Sequence, residues 1–212
     1  SGTISGRVDG VEVTGIVSRI FNSGTISAGN DGLDLADNAK IVNSGTIQAN
    51  GRGIFSDEGG SNLNNSGDIF GEALGVQFAG NSTIANTGTI DSSNIGVRAE
   101  GLSTFLNAGA ISGGTIGLQA TVDAKIYNTG TISGSVNGVN AQAKMILRNV
   151  GEITGDIAVE NRGTFQNSIV NSGTIIGEGA AILMDLQLFS SKVVNTGLLA
   201  SDGATIQISN DS

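Results

Sequence analysis

Apolar residues alternate with polar ones in short bursts along the chain, as in Gly32-Leu33-Asp34-Leu35 and Lys40-Ile41-Val42-Asn43. Alternation is the period of a strand with one covered face, and nowhere does the chain sustain the 3.6-residue period of an amphipathic helix. The bursts recur around a motif, N-x-G-x-I, which stands as Asn22-Ser23-Gly24-Thr25-Ile26, Asn43-Ser44-Gly45-Thr46-Ile47 and Asn86-Thr87-Gly88-Thr89-Ile90, and runs on to Asn195-Thr196-Gly197-Leu198-Leu199. From a truncated first copy at Gly2, successive motif glycines are 22, 21, 22, 21, 21, 21, 21, 22 and 24 residues apart.

Three apolar rows keep phase with that glycine. Two residues after it stand Ile4, Ile26, Ile47, Ile69, Ile90, Ile111, Ile132, Ile153, Ile175 and Leu199. Four before it stand Ile20, Ile41, Leu63, Ile84, Phe105, Ile126, Leu147, Ile169 and Val193. Nine after it stand Val11, Leu33, Ile54, Val76, Val97, Leu118, Val139, Ile182 and Ile206, interrupted by Glu160. Each unit thus reads as three short strands, and so short a unit buries its apolar face only by stacking on its neighbours. The expected fold is all-β: a single-stranded parallel β-helix of triangular section, about ten coils of 21–22 residues forming one domain over 1–212 and a rod of about 45 Å. The handedness of parallel crossovers favours a right-handed coil.

A buried amide beside an apolar column is costly when unpaired. The recurring asparagine is therefore expected to form a ladder, each side chain bonding to the next as in other stacked parallel sheets. The turn glycines Gly10, Gly32, Gly53, Gly75, Gly96, Gly117 and Gly138 serve either positive φ or close backbone approach. The repeat is irregular at 151–173, where the second strand is displaced to Ile157 and Val159 and an extra motif copy appears at Asn161-Arg162-Gly163-Thr164-Phe165. It is irregular again at 173–197, where Asp185-Leu186-Gln187-Leu188-Phe189 reads as an insertion. Insertions in solenoids map to loops on one face.

Composition narrows the chemistry. There is no His, Cys, Pro or Trp, so imidazole- and thiolate-based nucleophiles and zinc sites are excluded. Phosphate-cradling glycine motifs are absent too, and no cofactor is expected. The net charge is −9, and the ten basic residues are spread along the sequence, which argues against a nucleic-acid partner. The longest uninterrupted apolar run, Ala180 to Met184, is far too short for membrane insertion as a helix.

Carboxylates remain for acid–base work or metal binding. Asp31, Asp34 and Asp37 form a weak calcium candidate, Asp57 and Glu58 are neighbours, and Glu12 and Asp34 would stack on an outward row. A solvated acidic face accounts for all of them, and no catalytic, metal or cofactor residue is assigned. Ser23 and Thr25, Ser44 and Thr46, Thr87 and Thr89, Thr129 and Thr131, and Ser172 and Thr174 would give a hydroxyl array two columns wide, interrupted at Asp68, Ala110, Val150, Glu152 and Leu198.

Repeats such as Asn43-Ser44-Gly45-Thr46-Ile47 followed by Gly53-Ile54-Phe55 resemble those in the passenger regions of bacterial type V secreted proteins, both autotransporters and filamentous-haemagglutinin-like adhesins. The resemblance covers nearly the whole chain. It implies a segment of a longer exported protein, anchored at the outer membrane or released, that acts at the cell surface in adhesion, aggregation or biofilm formation. Expected partners are a host or neighbouring-cell glycan or protein, or another copy of the chain. A β-helical carbohydrate-active enzyme and an ice-binding solenoid are the alternatives from other classes.

Overall fold

In the computed structural model, which describes residues 2–15, 18–57, 59–163, 166–185 and 191–209, every strand pairing is parallel. Each regular coil contributes three strands, for example Thr25–Ala28, Leu33–Leu35 and Lys40–Asn43. We call the stacks they build the motif face, the second face and the third face. The described residues form a β-solenoid with no helix.

The three apolar rows become three interior columns in the register that the glycine spacing predicts. On the motif face Ile4 pairs with Ile26, Ile26 with Ile47, and so on through Ile175 and Leu199. On the second face Val11 lies against Leu33 and Leu33 against Ile54. On the third, Ile84 lies against Phe105 and Phe105 against Ile126. The middle coils hold these side chains fully buried, whereas Ile4 and Ile206 at the two ends are exposed. Burying one such aliphatic side chain contributes about 1.5–3 kcal/mol, so stability accrues with each coil that finds a neighbour on both sides.

A further interior column follows the second-face row two residues on, through Leu35, Ser56, Phe78, Ala99, Ala120 and Ala141. Its mix of sizes kept it from standing out as an apolar row.

The asparagine ladder is continuous. Asn22 donates through Nδ2 to Oδ1 of Asn43 at 2.8 Å, and the same bond repeats from Asn43 to Asn65, Asn65 to Asn86, Asn86 to Asn107, Asn107 to Asn128, Asn128 to Asn149, Asn149 to Asn171 and Asn171 to Asn195, each at 2.8–2.9 Å. Every donor points toward the C-terminal end. The amide also serves its own turn: Asn65 Nδ2 donates to the Gly67 carbonyl at 2.9 Å, while the main-chain carbonyl of Asn43 accepts from the N–H groups of Ser66 and Gly67 one coil later. The polar corner is thereby satisfied without water.

Close approach is what the glycines provide. A Cβ on Gly45 would overlap the Gly24 carbonyl oxygen, and one on Gly32 would strike the Gly53 carbonyl and a methyl of Ile47. Positive φ is confined, among the described residues, to Gly59 (68°) and Asn38 (56°), neither of which belongs to the recurring set.

In the coil from Gly151 the strand Glu152–Asn161 runs unbroken across the corner between the motif and second faces, with a register shift between Gly155 and Ile157. Val159 takes the interior place, between Val139 and Ile182, so the displacement to Ile157 and Val159 keeps the column intact and moves Glu160 out of it. The strand Thr174–Asp185 likewise spans both faces. Asn161 is not a rung of the ladder. Its Oδ1 accepts from Gly163 N and Asn167 Nδ2, closing a different corner. Thr164 and Phe165 of the extra motif copy, and Leu186 to Phe189 of the insertion, lie outside the described residues.

Candidate functional site

The acidic candidates come together differently from the sequence expectation. Glu12 and Asp34 are indeed register partners. The carboxylates that converge within 4.8 Å are those of Asp9, Asp31 and Asp34; Asp37 is not among them. Asp9 sits one coil below Asp31, and its Oδ1 accepts from Asn30 Nδ2 and Asp31 N, both at 3.0 Å.

Asp31 is 1% exposed and committed to Arg52, which lies one coil further on. Arg52 Nε reaches both carboxylate oxygens at 3.1 Å, Nη2 reaches Oδ2 at 2.5 Å and the Arg52 main-chain N–H donates at 2.8 Å. The guanidinium also lies 3.3 Å from the centroid of the Phe55 ring, a cation–π contact that holds it in place. The cation this cluster accommodates is its own arginine. Millimolar calcium is therefore expected to leave the melting temperature unchanged, and a rise of several degrees in a calcium titration would show a real site, because ligand linkage would demand it.

Burial, followed by the neighbouring charge of Asp31, pushes the Asp34 carboxyl above its usual range; Asp9 and Glu12 push the same way and Arg52 opposes. A raised acid favours the folded state while protonated, so this contribution is present below the unfolded value near 3.8 and is lost as pH rises through the folded value. Asp34→Asn is thus expected to raise the melting temperature slightly at pH 7. Scans at descending pH should show that advantage vanish as the native carboxyl becomes protonated.

Glu160 is another buried carboxylate, with its side chain 2.6 Å from Nη2 of the largely exposed Arg162 and accepting from Asn140 Nδ2. Asp57 is an exposed residue after the strand Arg52–Ser56, and Glu58 lies outside the described residues.

The hydroxyl columns are real. Thr25, Thr46, Asp68, Thr89, Ala110, Thr131, Glu152, Thr174 and Leu198 follow one another in register. In the neighbouring column the hydroxyls are partly spent on the scaffold: those of Ser44, Thr87 and Thr129 donate to the asparagine carbonyls of the preceding coil at 3.2–3.3 Å.

Sequence order concealed the distribution of charge around the rod. The strands of the third face carry Arg19, Lys40, Lys125, Arg148 and Lys192 and no acidic residue. The strands of the other two faces carry Glu12, Asp34, Asp68, Asp91, Glu152, Asp156, Glu160 and Glu178 against Arg52 and Arg98 alone among the described side chains. Those two arginines are ion-paired, Arg52 with Asp31 and Arg98 with Glu100. Among the described residues, none of the five third-face cations has an ion-pair partner.

These cations are interleaved with outward apolar groups: Phe21 is 72% exposed, and Leu106, Tyr127, Arg148 and Val170 form one register column. Beside that column lies a groove of about 310 Å³ lined by Thr104, Asp123, Lys125, Lys144 and Ile146, among others. Asp123 is partly used within the fold, since its Oδ1 accepts from the Lys144 main-chain N–H. The signal in the sequence was available: the residues five and three places before each motif glycine alternate with the interior row, and they include Lys125, Tyr127 and Arg148.

No protein-family model matches the chain, and neither a curated protein nor a solved structure matches it.

Proposed function

We propose that the chain is the repeat segment of an exported bacterial surface protein and acts as a non-catalytic rod in adhesion or aggregation. The observation that carries this reading is the third face: cations without an ion-pair partner among the described residues, together with exposed apolar side chains, along a stack whose other faces are acidic. Exposed apolar side chains such as Phe21 and Leu106 set among cations suit contact with another molecule. The alternatives draw less support. Of the converging carboxylates that could serve a glycosidase, Asp31 is bonded to Arg52 and Asp9 to Asn30 and the Asp31 main chain, and the hydroxyl columns of an ice binder are interrupted by charged and apolar residues and partly bonded to the scaffold.

Beads coated with the protein are expected to aggregate or adhere to glycan-bearing surfaces, with no release of reducing sugar and no thermal hysteresis. Sugar release or thermal hysteresis in place of adherence would move the assignment to one of those alternatives.

A further inference from the structure

Given that reading, we infer that the third face binds an extended acidic polysaccharide, with the polymer running along the rod axis and centred on Lys125, Tyr127 and Arg148.

Three observations meet there. Lys125 and Arg148 are exposed and, among the described residues, without an ion-pair partner. Tyr127, the chain's one tyrosine, is the register partner of Arg148 and stands two residues from Lys125, hence on the same side of its strand. The groove beside them carries Lys144 and Thr104, adding a cation and a hydroxyl. Carboxylates recognise the cations, hydroxyls exchange hydrogen bonds with Thr104 and Lys144, and the C–H face of a sugar ring lies on the tyrosine.

Charge density selects the class of polyanion. Nine stacked strands span about 38 Å at a 4.8 Å spacing, and five cations on them meet a sparse row of negative charges. Duplex DNA presents a phosphate about every 1.7 Å, far more than these residues neutralise, and the excess would face a protein of net charge −9. A polymer with one uronic carboxylate per disaccharide matches the strip far more closely.

The test uses the full chain and hyaluronate, an alternating uronic acid polymer, with dextran as a neutral control, and compares wild type with Lys125→Gln/Arg148→Gln. A second variant, Thr46→Glu/Thr89→Glu, makes the same change in net charge on the motif face. Hyaluronate is expected to bind wild type and to weaken with added salt. The Lys125/Arg148 variant should lose about tenfold in affinity, the size of two exposed charge contacts, with an unchanged melting temperature. The motif-face variant should stay within about twofold of wild type, since its added charges lie away from the polymer.

Equal binding of dextran, or wild-type affinity in the Lys125/Arg148 variant, would overturn the inference. So would tighter binding of short duplex DNA or of phosphatidylglycerol vesicles, or a wild-type dimer in sedimentation that this variant abolishes. Bead adherence separates the two levels. Adherence that survives the double substitution leaves the adhesion reading standing without this ligand, whereas hyaluronate binding without any adherence leaves the ligand standing without adhesion.

Discussion

Replacing Ile111 with Asp is expected to cost several kcal/mol of stability, while Thr131→Asp, in the next copy of the same motif, costs less than about 1 kcal/mol. Both substitutions add one negative charge to the motif face, and the two positions lie in adjacent coils. Ile111 is 1% exposed and sits between Ile90 and Ile132 in the interior column. A carboxylate there has to be buried without a partner or drag the strand open. Thr131 is exposed and stands in the column that already holds Asp68 and Glu152, paired with Ala110 and Glu152, so its new charge meets solvent and one like-charged neighbour. Because coils interact chiefly with their neighbours, damage at Ile111 should also divide unfolding into steps for the flanking arrays. Denaturant titration followed by circular dichroism reads both effects, and equal losses from the two variants would contradict the inside–outside assignment.

The second large effect belongs to the ladder. Asn107→Leu keeps the volume and gains apolar surface, yet it should destabilise by about 3 kcal/mol, because it strips partners from buried groups on both sides. Asn86 Nδ2 loses its 2.9 Å acceptor and Asn128 Oδ1 its 2.8 Å donor. The Gly109 and Thr131 carbonyls, which receive Asn107 Nδ2, lose a donor as well. The matching change at Asn195, an exposed position at the last rung, should cost under about 1 kcal/mol. Comparable losses at the two sites would mean that the amides contribute as isolated turn residues and not as a stack.

The fold was legible because stacking turns a linear period into geometry. Once the motif glycines are 21–22 residues apart, in-register pairing places Ile26 on Ile47 and Asn43 on Asn65 with no further information. The irregular coil was legible in part: the displacement to Val159 could be read, but the column it rejoined needed the shift between Gly155 and Ile157. The acidic cluster was misread because Asp37 lies close to Asp34 in sequence, whereas Asp9 lies one coil away and closer in space. The charge pattern was missed for the same reason. Ten cations scattered along 212 residues look uniform, and only wrapping the chain gathers Arg19, Lys40, Lys125, Arg148 and Lys192 onto one face.

Because every rung from Asn22 to Asn171 donates in the same sense, the side-chain amides form an electrical analogue of a helix backbone. Each amide carries a dipole of about 3.5 D, and aligned hydrogen-bonded amides polarise one another. The rod thus has poles. Along the described rungs its hydrogens lead toward Asn195, whose Nδ2 also donates to the Gly197 carbonyl. Its oxygens lead toward Asn22, whose Oδ1 accepts from Gly24 N. A coil stacked beyond Asn195 continues the column by presenting an oxygen, and one stacked before Asn22 by presenting a hydrogen, so the same orientation carries on from coil to coil.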